Sequence, residues 1–197
     1  MMLRNSADRW GPVSQLLHWL IVLLILGLGV VGLVMVELPK SPRWFWVYDL
    51  HKSFGLTVLA LVVVRLLWRW FAGAPKPVAG TPRVQERVAT ITHVLLYVLT
   101  FAVPLSGWIY DSLSGLRPLR WFGQFKVPKL ADPSQTLAPV MRDTHEWLFW
   151  ALIALVAVHA AAAFYHHLFQ HDDTLARMLP RRRRAASPDP SPVPEIH

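Results

Sequence analysis

The chain contains no cysteine and little charge: of 197 residues, 16% are Asp, Glu, Lys or Arg, against 54% hydrophobic ones. Without thiols there is no disulfide scaffold, iron–sulfur cluster, thiolate zinc site, C-x-x-C-H haem attachment or cysteine nucleophile. The surplus of apolar side chains excludes a disordered chain. Acidic residues are scarce too, 12 against 20 Lys and Arg, for a formal charge of +8. That basic balance admits a nucleic-acid partner until the positions of the charges are read. With thiols gone, histidine is the strongest metal ligand left, and there are nine.

Long apolar runs are what the sequence does have. Leu16 to Val36 carries a single ionisable side chain, His18, over 21 residues, enough to cross a hydrocarbon core of about 30 Å. Three further segments, Leu50–Phe71, Ile91–Tyr110 and Glu146–Tyr165, read the same way. No small-residue cleavage site follows the first run, so it is not read as a secretory signal. None of the runs alternates as a barrel strand must, and backbone polar groups in lipid are satisfied only in helices or closed barrels. The expected fold class is all-α, an integral membrane four-helix bundle.

Basic residues set the expected orientation. Arg4, Arg9, Arg65, Arg69, Lys76, Arg83, Arg87, Arg177 and Arg181–Arg184 make 12 on the side of the termini, against seven opposite, Lys40, Arg43, Arg117, Arg120, Lys126, Lys129 and Arg142. The positive-inside rule then places both termini and the Gly73–Thr90 loop in the cytoplasm, with the protein multi-pass in a bacterial inner membrane. The basic excess is thereby topological, and no nucleic-acid partner is expected. Trp10, Trp44, Trp46, Trp68, Trp70, Trp108 and Trp147 fall near the span ends, as interfacial anchors. After Pro180 the run RRRRAASPDPSPVPEIH cannot build a core. The expected organisation is one membrane domain, 1–180, and a disordered cytoplasmic tail, 181–197.

Ionisable residues inside a span are costly and mark function by default. His145 and His159 are 14 residues apart, about 21 Å along one helix and nearly on one face. His18 opens the first span and His51 the second, which runs the opposite way. His18 therefore matches His159 in depth, and His51 matches His145. Two imidazoles facing across a bundle make an axial pair for a haem iron, and two such pairs stack two haems. Held without cysteine these are non-covalent b-type haems, closed to oxygen at both axial positions. The same four histidines also fit a proton relay or pore.

Several segments carry a family resemblance: LLHWL in the first span, LHKSFGL followed by RLLWR in the second, HVLLYVLTFAVPLSGW in the third, and HEWLFWALIALVAVHAAAAFYHHLFQHDDTLARML in the fourth. The chain resembles the bacterial four-helix dihaem cytochrome b561 family over nearly its whole length to about Pro180. The resemblance implies a bundle enclosing two b-type haems, with His18, His51, His145 and His159 as the iron ligands.

Gly55 lies one turn past His51 on the same face, where a missing Cβ admits either a porphyrin or a packed helix. Gly27, Gly29 and Gly32 spell G-x-G-x-x-G but follow no strand, so they read as small packing residues rather than a dinucleotide loop. Arg65, 14 residues beyond His51, reaches the depth of the inner pair, where it either binds a haem propionate or snorkels to the headgroups. Lys52 and Arg142 are lesser candidates for the outer haem. His93 and His166 sit near the inner pair, as quinone-binding or proton-passing residues or as solvated interfacial histidines.

The Asp111–Asp143 loop carries Arg117, Arg120, Lys126, Lys129 and Arg142 against three Asp. It is net positive beside the outer pair, suited to steer a small anion or to meet anionic lipid. A bacterial member of the family resembled is understood to oxidise periplasmic superoxide and reduce ubiquinone in the membrane. The resemblance therefore implies a superoxide:ubiquinone oxidoreductase, with lipid, ubiquinone and superoxide or another electron donor as partners. The alternative is an electron-carrier subunit linking a dehydrogenase or soluble cytochrome to the quinone pool. A haem-free transporter is disfavoured by four short spans without a repeat.

Overall fold

The computed structural model describes residues 3–78 and 80–180, so the expected tail, 181–197, lies outside the described residues. Four helices carry the fold: α1 (Pro12–Glu37), α2 (Phe45–Ala72), α3 (Arg83–Ser114) and α4 (Leu137–Tyr165), the last continued by a five-residue π-turn, His166–Gln170. Each is long and apolar enough to cross a membrane. Leu23, Val30, Val98 and Val158 point outward from the bundle and are exposed, a surface suited to lipid rather than water.

Every helix outruns the apolar span expected for it. The Gly73–Thr90 loop ends at Pro82, and Arg83–Thr90 is already α3. Likewise the outer connection occupies 115–136 rather than Asp111–Asp143, since α3 runs to Ser114 and α4 starts at Leu137. Hydropathy falls where a helix leaves the hydrocarbon, but its backbone bonds do not. Local caps mark the true ends: proline at the first turn of α1 and before α3 lacks an N–H that would be orphaned there anyway. At α4, Ser134 accepts the Leu137 N–H through Oγ at 3.2 Å and the Ala138 N–H through its carbonyl at 3.0 Å.

Close backbone packing links α1 to α2, α2 to α3 and α3 to α4, whereas α4 approaches neither α1 nor α2 comparably. Side chains close the gap at mid-depth. Ile21 and Ile25 of α1, Val58 and Val62 of α2 and Leu152 of α4 form the buried core, flanked by Leu28, Leu99, Val103 and Val156. Gly29 lets α4 in, because a Cβ there would sit 3.1 Å from the Phe149 ring. The aliphatic layer lies between the two histidine depths and excludes water between them.

At the outer end a two-stranded antiparallel hairpin, β1 (Arg120–Trp121) and β2 (Phe125–Lys126), sets Arg120 opposite Lys126. Ser53 of α2, almost completely buried, accepts the Phe122 N–H at 3.0 Å, and Trp121 Nε1 donates to Thr57 Oγ1 at 3.2 Å. Trp108 Nε1 donates to the Pro128 carbonyl at 2.9 Å, and Ser112 Oγ accepts the Leu130 N–H at 3.1 Å.

At the inner end three distant segments are laced together. Gln15 Nε2 reaches the carbonyls of Arg177 (3.3 Å) and Leu179 (3.2 Å), and Trp19 Nε1 donates to Met178 O at 3.0 Å. Arg177 Nη1 donates to Lys76 O at 2.8 Å, and Asn5 Nδ2 to Gly73 O at 2.7 Å. Not every expected anchor is a lipid anchor: Trp46, Trp70 and Trp147 are exposed, but Trp68 Nε1 donates to Ser14 Oγ at 3.1 Å and Trp108 binds the outer loop.

Candidate functional site

The structure brings the histidines together in the pairs that depth-matching expects. His18 of α1 faces His159 of α4 with ring centres 6.5 Å apart and planes at 85°. His51 of α2 faces His145 of α4 at 6.4 Å and 86°. A metal ion holds an imidazole nitrogen at about 2 Å and the ring centre lies about 1 Å behind it, so two trans imidazoles have centres about 6 to 6.5 Å apart. Both pairs meet that spacing. The helix pairs they bridge, α1 with α4 and α2 with α4, are among those whose backbones stay apart. Nothing lies within 4 Å of a Cβ built at Gly55, one turn past His51, open space that suits a flat macrocycle.

Around the outer pair, His145 Nδ1 lies 2.8 Å from the Val103 carbonyl and 3.0 Å from Ser106 Oγ. A Cβ on Gly107 would stand 3.0 Å from His145 Cε1, and one on Gly32 would stand 3.2 Å from His51 Cε1. His51 Nδ1 is buried and has no protein partner among the described residues. Lys52 is engaged by Asp111 at 2.8 Å, with both side chains mostly buried. Arg142 is engaged by Asp143 at 2.9 Å on the exposed start of α4. Neither lesser candidate is left free for the outer pair.

Beside the inner pair, His93 of α3 stands with its ring centre 5.4 Å from that of His159. Arg65 donates through Nε to Tyr97 Oη and through Nη1 to the Ser14 carbonyl, both at 3.2 Å. It is held at the inner end rather than extended into solvent, and its Nη2 makes no hydrogen bond among the described residues. His166 does not join His93. The π-turn and the left-handed His171 (φ 51) fold the chain back, and Asp172 Oδ2 meets His166 Nδ1 at 2.5 Å. Burial would push the Asp172 carboxyl up, but hydrogen bonds from Thr174 and His166 hold it below the ordinary carboxylate range.

Of the five basic residues expected to steer an anion, Arg117, Lys126 and Lys129 line one cavity of about 230 Å³ on the outer face, with Asp111 and Ser112 on its wall. Arg117 also bridges to Asp49 at 3.3 Å and stacks over Phe45. Arg120 instead binds its own hairpin, donating to the carbonyls of Gly123 (3.1 Å) and Gln124 (3.4 Å). Arg142 lies outside the cavity lining.

Sequence reasoning missed Val103, Ser106, Gly107, Ser53 and the Gln15–Trp19 clasp. Their only sequence signal is small or polar residues inside an apolar helix, as in VPLSG, where a polar side chain needs a partner.

Residues 9–181 match the family described as prokaryotic cytochrome b561. Cytochrome b561 homolog 2 of Escherichia coli (strain K12) is 33% identical over 180 residues, spanning 91% of this chain and 95% of that relative. Cytochrome b561 homolog 1 of the same organism is 31% identical over 184 residues, 89% of this chain and 99% of its own. A Yersinia pestis protein named probable superoxide oxidase CybB is 28% identical over 172 residues, 85% of this chain and 93% of its own. The matched stretch contains all four helices and both histidine pairs. The chain belongs to the prokaryotic cytochrome b561 family, whose members are membrane electron carriers that bind b-type haem.

Proposed function

We propose that this chain carries electrons across a bacterial inner membrane, with one haem b held by His18 and His159 and a second by His51 and His145. The observation that carries the reading is the twofold occurrence of imidazoles at 6.4 and 6.5 Å, near opposite ends of an aliphatic core. When bound, a b-type haem held by two imidazoles would supply one-electron exchange. Gly55 would leave room for the outer macrocycle, and Arg65 would pair a propionate carboxylate of the inner one. The basic bias of the inner side supports cytoplasmic termini.

The substrates follow from the charges at each end. The cavity lined by Arg117, Lys126 and Lys129 attracts a small anion to the outer pair, and superoxide is the reductant we propose. Its relative named probable superoxide oxidase CybB supports that choice. At the inner end His93, beside the inner pair, binds a ubiquinone carbonyl and passes it a proton. His166 stands nearby, in contact with Asp172. The balance is two superoxide ions and one quinone, taking up two protons, to give two dioxygen molecules and one quinol.

Stopped-flow mixing of the purified oxidised protein with superoxide, with and without a ubiquinone analogue, tests the reading. The expected result is rapid appearance of the reduced α band, slowed several-fold by salt, followed by quinone-dependent reoxidation. A haem-loaded protein that superoxide does not reduce contradicts it. That result favours the second reading, an electron-carrier subunit docking a dehydrogenase or soluble cytochrome. The exposed Lys126 on the projecting hairpin is suited to such docking.

A further inference from the structure

The VPLSG turn of α3 faces His145 with three different groups. Val103 offers its carbonyl to Nδ1 at 2.8 Å, Ser106 sets Oγ 3.0 Å from the same nitrogen, and Gly107 leaves the ring its space. Ser106 is itself buried, and its hydroxyl donates to the Val103 carbonyl at 2.7 Å. A carbonyl only accepts, and with its hydrogen directed there Ser106 Oγ presents a lone pair to the imidazole. Both neighbours of Nδ1 are therefore acceptors. The arrangement that satisfies all three groups puts the histidine hydrogen on Nδ1 and leaves Nε2 as a bare lone pair. Pro104 lies in the same turn and has no N–H for the Thr100 carbonyl, which loosens the helical ladder where Val103 must serve a partner outside it.

We infer that Val103, Ser106 and Gly107 form a cradle that fixes the tautomer and ring plane of His145, making Ser106 and Gly107 positioning residues for the outer haem. This rests on His145 being an iron ligand. The opposite ligand differs: His51 Nδ1 is buried without a protein partner among the described residues, and a Cβ at Gly32 would press on its ring. A hydrogen bond donated by Nδ1–H makes the imidazole a stronger donor to iron and favours the oxidised metal. The ligands of the outer haem would thus be positioned mainly through His145, by the α3 turn.

The test uses the full-length protein in detergent. Ser106→Ala removes the hydroxyl without adding bulk, and one of the two reduction potentials should move upward while the other stays. Ser106→Thr, which restores a hydroxyl, should return that potential towards the wild-type value. Gly107→Ala places a methyl 3.0 Å from the ring carbon, and haem per chain should fall by half, or one of two low-spin ferric signals should change. Far-UV circular dichroism verifies that the helices persist. Unchanged potentials and signals in both Ser106→Ala and Gly107→Ala overturn the cradle, as does an equal shift of both potentials in Ser106→Ala. A wild-type chain that holds two haems and keeps both in His145→Ala overturns the ligand assignment itself, and the cradle's role with it.

Discussion

The outer and inner histidine pairs share their spacing, 6.4 and 6.5 Å, but not the means by which it is kept. The outer pair leans on contacts between the long helices: the Val103–Gly107 turn of α3 against His145 of α4, and the Lys52–Asp111 bridge from α2 to α3, one residue beyond His51. The inner pair is enclosed by chain segments far apart in sequence, 3–11, 73–78 and 172–180, laced by Gln15, Trp19, Arg177 and Asn5. One geometry is held by the long helices themselves, and the other by loop and terminal segments folded back on them.

The largest effect that separates the two ends comes from their ligands. His145→Ala and His159→Ala should each halve the haem per chain measured by pyridine haemochromogen, each leaving the other centre's spectrum intact. Loss of both haems in either variant would show that the centres fold as one unit.

Gly55→Ala distinguishes chain from cofactor. Nothing in the protein meets the added Cβ, so the haem-free chain should gain about 0.5–1 kcal/mol from better helix propensity. The haem-loaded form should instead lose stability where the macrocycle fills that space. Opposite shifts in Tm for the two forms are expected, and parallel shifts would place the haem elsewhere.

Removing one support at each end sharpens the comparison further. Asp111→Asn strips the charge partner of a mostly buried Lys52, and Gln15→Ala leaves the inner carbonyls without their buried donor. Each should cost about 1–3 kcal/mol. Hydrogen exchange should rise around 175–180 only in Gln15→Ala, and in the outer hairpin only in Asp111→Asn. Uniform loosening would contradict independent supports.

The smallest expected effect is a pH dependence at the inner end. Asp172 is held below the ordinary carboxylate range in the folded chain, so its stabilisation is present above the unfolded pKa and lost as pH falls through the folded value. Thermal melts of wild type and Asp172→Asn should therefore diverge at neutral pH and converge in acid. Curves that stay parallel would remove the His166–Asp172 contact from the account.

Spans and histidine pairs were legible in the sequence because each rests on one-dimensional arithmetic. A 14-residue interval on a helix fixes depth, and a run of uncharged residues fixes a crossing. The starts of α3 and α4 were not, since Arg83–Thr90 at the inner end and Leu137–His145 at the outer end are helical in polar surroundings where hydropathy is silent. Nor was the meeting of Val103, Ser106 and His145, which depends on how α3 and α4 are rotated against each other. Convergence of His93 on His159 rather than on His166 has the same cause, together with a π-turn that no local composition announces. Of the basic outer loop the sequence offered charge but not direction, and the hairpin turns Arg120 onto its own carbonyls.

The most direct measurement is the number and ligation of haems in the purified chain, by pyridine haemochromogen and ferric electron paramagnetic resonance. Two crossed imidazole pairs predict two b-type haems per chain and two strongly anisotropic low-spin signals. A single haem per chain, or a high-spin signal from an iron lacking one imidazole, would contradict the account.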